Sequence, residues 1–248
     1  MKRVAVIDVV GLTESLIGEN TPRISAFRQA GASAKIVPAF PAVTCTAQST
    51  YVTGSPASYH GIVGNGWYNR ELAEVQFWKQ SNKLVHGRKL WEECRERDSK
   101  FTCAKLFWWY NMYSSADYSI TPRPMYPADG RKVFDIHTWP YSIRTEIKKD
   151  LGEFPFATFW GPAAGRQSPQ GPPEAASRWI AESAKWVEEK YHPTLNLIYL
   201  PHLDYNLQRF GPFAGEESRN INSIIQPDLK AIDTIVGDLI DFFSKRAV

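Results

Sequence analysis

Two short apolar runs constrain the fold of this 248-residue chain more than any other sequence feature. One run is Val4 to Ile7, and the other is Leu195 to Leu200, which ends at Pro201. Neither shows the strict alternation of apolar and polar residues that marks a half-exposed strand. A nearly continuous apolar run is typical of a strand covered on both faces of a parallel sheet. The sequence therefore predicts an α/β fold with a doubly wound, mostly parallel sheet flanked by helices.

The first hundred residues alternate strand and helix patterns. A helix is predicted from Pro22 to Gly31, and Ala34 to Val37 follows as the next strand, which makes a βαβ unit. A short helix is predicted to begin near Thr44 and to stop at Gly54. Further along, 87–97 shows a helical pattern and 101–107 a strand pattern.

The later part of the chain contains two strongly amphipathic helices. One is predicted from Pro172 to Lys190 and the other from Pro227 to Lys245, because apolar residues recur in both at spacings of three and four. Residues 108–171 are rich in aromatic residues, Pro and Gly without clear periodicity, so we expect an insertion or a cap over the sheet there. A helix packed on such a sheet normally leads into another strand, and none follows 227–245. We therefore expect 1–248 to form a single, incomplete α/β domain.

Charge and cysteine content limit the classes of partner. The 29 basic and 26 acidic residues give a net charge of +3 without a basic cluster, which argues against nucleic-acid binding. The three cysteines show no C-x-x-C spacing and leave one thiol over, so a reducing, cytoplasmic compartment is expected. No apolar stretch of about 18 residues occurs, so we expect no membrane span. The oligomeric state stays open.

Three residues stand where an α/β sheet places its ligands. Asp8 and Asp204 follow the two apolar runs, and ligands bind outside the carboxyl ends of such strands. Thr44 lies where a loop enters a helix, beside unsatisfied N–H groups that favour a phosphate. A divalent cation at this hydroxyl would favour its alkoxide form. The plainer alternatives are a helix N-cap for Thr44 and turn residues for the aspartates.

The segment PAVTCTAQSTYVTGSPASYHGIVGN carries a specific resemblance. Together with the first strand and the later LPHLDYNLQRFGP, it resembles the nucleophile region of the nucleotide pyrophosphatase/phosphodiesterase branch of the alkaline phosphatase superfamily. The resemblance is clearest over 3–65 and 195–212. The residues in step with the family motif are Pro41, Thr44, Thr53, Gly54, Pro56, His60, Gly61, Ile62 and Asn65.

This resemblance implies a metal-dependent phosphodiesterase that acts on a small phosphate ester or a nucleotide. It implies that Thr44 is the nucleophile and is transiently phosphorylated, and that Asp8 and Thr44 bind one of two divalent metal ions. Asp204 would bind the second ion, and Asn65 would donate a hydrogen bond to a phosphate oxygen. Oxygen ligands together with histidine suit zinc or manganese better than an ion that prefers thiolates, and zinc is the expected metal with manganese as the alternative.

Two departures from the family motif motivate a second hypothesis. Leu207 and Gln208 stand where the family has Gly-His, and an amide oxygen is a weak zinc ligand. The family's remaining ligands come from later strands, so this chain would supply only part of each metal site. The alternatives are a catalytically incompetent binding relative or an inactive, truncated fragment of the same fold. His202 is a possible substitute ligand, although a surface histidine is the expected interpretation.

The middle of the chain contains aromatic residues that allow two interpretations. They could stack a nucleobase, or they could pack in a core or a cap. These residues are Trp67, Tyr68, Trp108, Trp109, Tyr110 and Tyr113. Cys45, beside the expected nucleophile, is interpreted as a small packed residue rather than a participant.

Overall fold

The computed structural model of the chain describes residues 2–159, 162–215 and 218–248. The strands are β1 Val4–Val9, β2 Gly66–Asn69, β3 Glu74–Phe77, β4 Cys103–Leu106, β5 Tyr118–Met125, β6 Val133–Trp139 and β7 Leu195–Leu200. The helices are α1 Pro22–Ala30, α2 Thr44–Thr53, α3 Ala57–His60, α4 Leu90–Arg97, α5 Ser142–Leu151, α6 Phe156–Phe159, α7 Ala175–Tyr191, α8 His202–Phe210 and α9 Gln226–Ser244.

A five-stranded sheet has the strand order β1-β7-β4-β5-β6, and β2 and β3 form a separate antiparallel pair. Strands β4 and β5 are parallel, with Leu106 opposite Ile120. Strand β6 runs antiparallel to β5 and pairs with it along its length. The architecture is thus an α/β fold with a mostly parallel sheet and flanking helices, as the sequence predicts.

The chain divides into two compact units. Unit 1 contains 35–144 and 193–196, and therefore the elements from α2 to β6. Its centre is strand β4, whose four residues are all buried. The backbone N–H of Leu195 donates to the carbonyl of Thr102 at 3.0 Å, which places the beginning of β7 beside the beginning of β4.

Unit 2 contains 2–34, 145–192 and 197–248, and its core lies around α7 and α9. The predicted apolar stripes of both helices are buried, and each such aliphatic side chain contributes about 1.5–3 kcal/mol. Asp233 of α9 accepts the backbone N–H groups of Arg23 and Ile24 at 3.1 and 2.8 Å. These N–H groups belong to the first turn of α1, whose own N-cap residue Thr21 makes no side-chain cap. A distant carboxylate therefore caps this helix.

Several sequence predictions are confirmed closely. The helix predicted to begin near Thr44 and to stop at Gly54 is α2, and Gly54 adopts a left-handed conformation with φ +62°. Strand β7 has the predicted bounds, and all six of its residues are buried. The helices predicted at 22–31, 172–190 and 227–245 are α1, α7 and α9, each within a few residues of its expected ends.

Three predictions differ from the structure. Ala34 to Val37 forms no strand, and Ile36 and Val37 are 66% and 95% exposed, because no neighbouring strand pairs with this segment. Strand β1 is not covered on both faces, since Val4 is 48% exposed on a strand at the end of the sheet order. Residues 108–171 were expected to form an insertion or a cap, whereas β5 and β6 within this range are part of the sheet itself.

Candidate active site

Thr44 is the first residue of α2 and is half-buried. The residue before it, Val43, is the N-cap and has extended backbone angles of φ −119° and ψ 157°. Thr44 is therefore not an N-cap, which removes the plainer interpretation of this residue. Within the described part of the chain its hydroxyl makes no hydrogen bond, so the oxygen is available for a ligand or for chemistry.

The first turn of α2 also offers backbone donors. The N–H of Cys45 donates to the side-chain Oδ1 of Asn65 at 2.9 Å, and the N–H of Ala47 donates to the carbonyl of Val43 at 2.9 Å. The N–H groups of Thr44 and Thr46 have no such partner among the described residues. Unsatisfied donors at the positive end of a helix dipole form a favourable position for an anion.

Asn65 lies at the first turn of α2, where its side chain contacts Cys45, the residue after the expected nucleophile. Its carbonyl accepts the N–H of Trp78 at 2.9 Å, so both its backbone and its side chain are held. Because the partner of the side chain is an N–H donor, the atom bound to Cys45 is the amide oxygen. Among the described residues the Nδ2 group makes no hydrogen bond, so its two N–H donors can serve an oxygen ligand.

The two predicted carboxylates both lie in unit 2. Asp8 is inside β1 rather than after it, and Asp204 is in the first turn of α8, which follows β7 directly. The N–H of Val10 donates to the carbonyl of Leu200 at 3.2 Å, so the ends of β1 and β7 are neighbours. At Gly11 a Cβ would lie 3.4 Å from the Cα of Asp204, and the glycine has φ +82°. The left-handed φ favours glycine at this position, and a Cβ would also lie 2.7 Å from the Cδ1 atom of Leu207.

Asp204 has two features that bear on metal binding. Burial raises the pKa of its carboxyl group, and a hydrogen bond from the Gln208 amide opposes that rise. A buried carboxylate gains from a nearby cation, which restores the lost solvation of its charge. The donor type therefore fits a divalent ion. However, among residues 2–159, 162–215 and 218–248 no group of three or more His, Cys, Asp or Glu side chains is arranged to hold one.

His202 lies in the core rather than at the surface, so the expectation of a surface histidine is wrong. Its side chain is fully buried, and its Nε2 donates to the carbonyl of Asp228 at 3.4 Å. Burial lowers the pKa of this imidazole to about 4, so it is neutral near pH 7. The first turn of α8 turns His202 toward α9, because residues 202 and 206 share the buried face of that helix.

The aromatic residues separate into two groups. Trp108, Trp109 and Tyr110 are buried, which supports the core interpretation for them. Tyr68 and Tyr113 are exposed and Trp67 is half-buried, so a stacking role stays a prediction for these three. Cys45 is fully buried, and burial raises the pKa of its thiol to about 12, which agrees with a packed residue.

Two buried polar residues near α2 were not singled out in the sequence. Gln48 lies one turn after Thr44, and its Oε1 accepts the N–H of Trp109 at 2.9 Å. Lys105 is fully buried in β4. The detectable signal for Lys105 is a charged residue in the middle of an otherwise apolar strand, because a lysine is almost never fully buried without partners. Gln48 carries no comparable signal.

Thr44 and Asn65 belong to unit 1, whereas Asp8 and Asp204 belong to unit 2. The structure thus brings Asn65 to the residue after Thr44 and, separately, brings the end of β1 to the first turn of α8. The convergence of all four residues on one pair of metal ions stays a prediction.

Comparison with solved structures identifies the class of fold. Murine ectonucleotide pyrophosphatase / phosphodiesterase 5, an inactive variant in complex with AMP, is 15% identical with a TM-score of 0.58; the match covers 100% of this chain and 53% of that chain. Phosphonoacetate hydrolase from Sinorhizobium meliloti 1021, in complex with phosphonoacetate, is 13% identical with a TM-score of 0.62; the match covers 97% and 54%. The chain therefore spans about half the length of these proteins. A comparison with curated protein sequences finds no significant match.

The fold is that of the alkaline phosphatase superfamily, to which both structures belong. Residues 4–248 match the profile of a single family, described as type I phosphodiesterase / nucleotide pyrophosphatase. The chain belongs to this family, as the motif around Thr44 predicts.

Proposed function

We propose that the chain is the Thr44-bearing portion of a metal-dependent phosphodiesterase or nucleotide pyrophosphatase. The observation that carries the proposal is the first turn of α2, where the hydroxyl of Thr44 and two backbone N–H groups have no hydrogen-bond partner among the residues that the structure describes. Family membership supports the same reaction type. The relatives bound to AMP and to phosphonoacetate support a small phosphate- or phosphonate-containing substrate.

In this proposal the oxygen of Thr44 attacks phosphorus, and an alcohol or nucleotide leaves. The negative charge on the non-bridging oxygens is met by the helix N–H donors and by the Nδ2 group of Asn65. The bond from Cys45 to Asn65 holds that amide in place before the substrate arrives. Hydrolysis of the phosphothreonine then regenerates the free hydroxyl.

Asp8, Thr44 and Asp204 would hold the divalent ions, by resemblance to the family. When bound, such ions lower the pKa of a coordinated hydroxyl and stabilise the attacking and leaving oxygens of an in-line displacement. The carboxylates fit zinc or manganese in chemical type. They are fewer than the three protein ligands of a usual catalytic zinc site, so they account for part of each ligand set.

The test compares the wild-type chain with Thr44→Ala on bis-para-nitrophenyl phosphate in the presence of Zn²⁺ or Mn²⁺. We expect kcat to fall by at least about 1000-fold, because loss of a nucleophile removes the covalent path. Thr234→Ala, an exposed threonine on α9, controls for the substitution itself. Phosphothreonine at position 44 should be detectable by mass spectrometry after an acid quench. Equal rates for wild type and Thr44→Ala would remove this residue from the reaction.

One observation favours a catalytically incompetent binding relative. Gln208 stands at the position of a histidine in the family motif, and its amide donates a hydrogen bond to Asp204. One oxygen of the Asp204 carboxylate therefore already has a partner other than a metal ion. Metal analysis after dialysis discriminates between the two functions. Zinc that is retained by the wild type and lost in Asp8→Asn and Asp204→Asn supports the enzyme. Retention of phosphate esters without metal supports the binding relative.

A cytoplasmic location is also part of the proposal. It is supported by three free cysteines, of which Cys45 and Cys103 are buried. No helix in the described ranges is both long and apolar enough to cross a membrane. Fractionation of cells that express a tagged full-length protein tests the location, and recovery in a secreted fraction would contradict it.

A further inference from the structure

Strand β4 leads into a loop, 107–112, that is held by hydrogen bonds at several points. Phe107 and Tyr110 have φ +60° and +54°, in the left-handed region that residues with a side chain seldom adopt. The N–H of Phe107 donates to the carbonyl of Ile120 at 2.8 Å. The side chain of Asn111 donates to the carbonyls of Lys105 and Ile120, both at 3.0 Å. These hydrogen bonds therefore hold the backbone of the loop in its left-handed conformation.

The side chain of Lys105 in β4 forms hydrogen bonds with the same loop. Its Nζ donates to the carbonyls of Tyr110 and Trp109 at 3.1 and 3.4 Å, and it lies 5.0 Å from the ring centroid of Trp91. The carbonyl of Tyr110 also accepts the side-chain amide of Asn82 at 2.9 Å. Full burial of a lysine side chain is costly, and here its amino group has loop carbonyls as hydrogen-bond acceptors.

The loop is in turn bound to α2. The N–H of Trp109 donates to the side chain of Gln48 at 2.9 Å, and Gln48 belongs to α2, one turn after Thr44. Cys45 is the residue after Thr44, and its N–H holds Asn65. A continuous series of contacts inside unit 1 thus leads from the ammonium group of Lys105 to the first turn of α2.

We propose that Lys105 and Gln48 are positioning residues, which hold the first turn of α2 so that Thr44 and Asn65 keep their relative placement. This inference rests on the proposed function for its kinetic consequence. Its structural consequence, the protection of the Cys45 N–H, does not depend on activity. A misplacement of about 1 Å in a reacting group is enough to reduce a rate by about 100-fold.

The chain offers a matched control for Lys105. Lys89 is also a buried lysine, and its Nζ donates to the carbonyls of Val85 and Gly87 at 2.8 and 2.6 Å. Lys89→Met therefore removes the same kind of interaction from a different loop of unit 1. Gln48→Met breaks the proposed series from the α2 side and serves if Lys105→Met fails to fold.

The experiment measures steady-state kinetics on bis-para-nitrophenyl phosphate and amide hydrogen exchange by NMR in four proteins. These are the wild type, Lys105→Met, Gln48→Met and Lys89→Met. We expect kcat to fall about 10- to 100-fold in the first two variants with KM within about 3-fold, and both constants to stay within about 3-fold in Lys89→Met. We expect the Cys45 N–H to exchange at least about 10-fold faster in the first two variants only.

Failure of the positioning role and failure of the proposed function give different results. If no protein hydrolyses the ester, the proposed function fails, and faster exchange at Cys45 alone still supports positioning. Unchanged exchange at Cys45 in both Lys105→Met and Gln48→Met overturns the inference. An equal increase in exchange at all amides of unit 1, or an equal effect of Lys89→Met, also overturns it, because a general loss of stability then explains the result.

Discussion

Replacing Lys105 by methionine should change how the stability of the chain depends on pH. Burial lowers the pKa of this ammonium group to about 7 from an ordinary value of 10.5. Between these two values the unfolded chain binds a proton that the folded chain does not. The free energy of unfolding therefore rises with pH across this interval on account of Lys105, and methionine, which binds no proton, lacks the contribution.

The magnitude follows from the two pKa values. The cost of burying Lys105 is nearly constant below pH 7 and decreases as the pH rises toward 10.5. At about 1.4 kcal/mol per pH unit, proton linkage decreases that cost by about 2 to 3 kcal/mol between pH 6 and pH 9. The stability of Lys105→Met relative to wild type should fall by the same amount over this range.

Urea denaturation of both proteins at pH 6 and pH 9 measures this difference. Other groups titrate in the same range, and the difference between variant and wild type cancels them. Lys230→Met, at an exposed position of α9, controls for the loss of one charge. If the difference between Lys105→Met and wild type is the same at both pH values, Lys105 binds its proton equally in the folded and unfolded chain, and the inferred effect of burial is refuted.

Three further predictions concern packing, capping and thiol chemistry. Asp233→Ala should lower the free energy of unfolding, measured by urea denaturation, by about 1–3 kcal/mol, because one buried and one part-buried N–H group of α1 lose their acceptor. An effect as small as that of an exposed substitution would contradict the cap. Ile232→Ala should cost about 2–5 kcal/mol by leaving a cavity under α9, whereas the exposed Ile224→Ala should cost less than about 1 kcal/mol. Iodoacetamide at pH 8 should modify Cys94 before the two buried cysteines, whose thiol pKa values burial raises to about 12; early modification of Cys45 or Cys103 in the mass spectrum would oppose this.

The elements that sequence analysis predicts well have a local signal. Strand β7 is recognised because its residues are apolar on both faces. The end of α2 is recognised because the sequence has a glycine at position 54, and Gly54 adopts the left-handed conformation that ends many helices. Helices α7 and α9 have long apolar stripes. In each case the residues that decide the structure lie within one element.

Strand β5 shows why the middle of the chain was harder to predict. It contains Pro122 and Pro124, and proline within an apolar run argues against a strand. The parallel pairing of β5 with β4 ends at Ile120, so both prolines lie beyond the part of β5 that pairs with β4. They pair only with β6, opposite Ile136 and Phe134. The tolerance for proline thus depends on the length of a neighbouring strand, which the local sequence does not reveal.

In the candidate site, too, some residues have a local sequence signal and others depend on distant contacts. Thr44 and Asn65 were recognised because their motif resembles a known family, and the contact through Cys45 is consistent with their predicted proximity. Gln48 and Lys105 form hydrogen bonds with Trp109 and Tyr110, which lie 61 and five positions away in a loop whose backbone conformation is unusual for its residue types. The contact between Gln48 and Trp109 has no signature in a single sequence, whereas Lys105 is signalled by its position within an apolar strand.

The cap on α1 also has a consequence for the order of folding during synthesis. The N–H group of Arg23 is separated from its acceptor, the carboxylate of Asp233, by 210 residues. At about 5–20 residues per second, a ribosome needs about 10–40 s to add that length. Throughout this interval the first helix has emerged without its cap. The native start of α1 is therefore completed only after α9 has been translated, and these two helices are expected to become stable together.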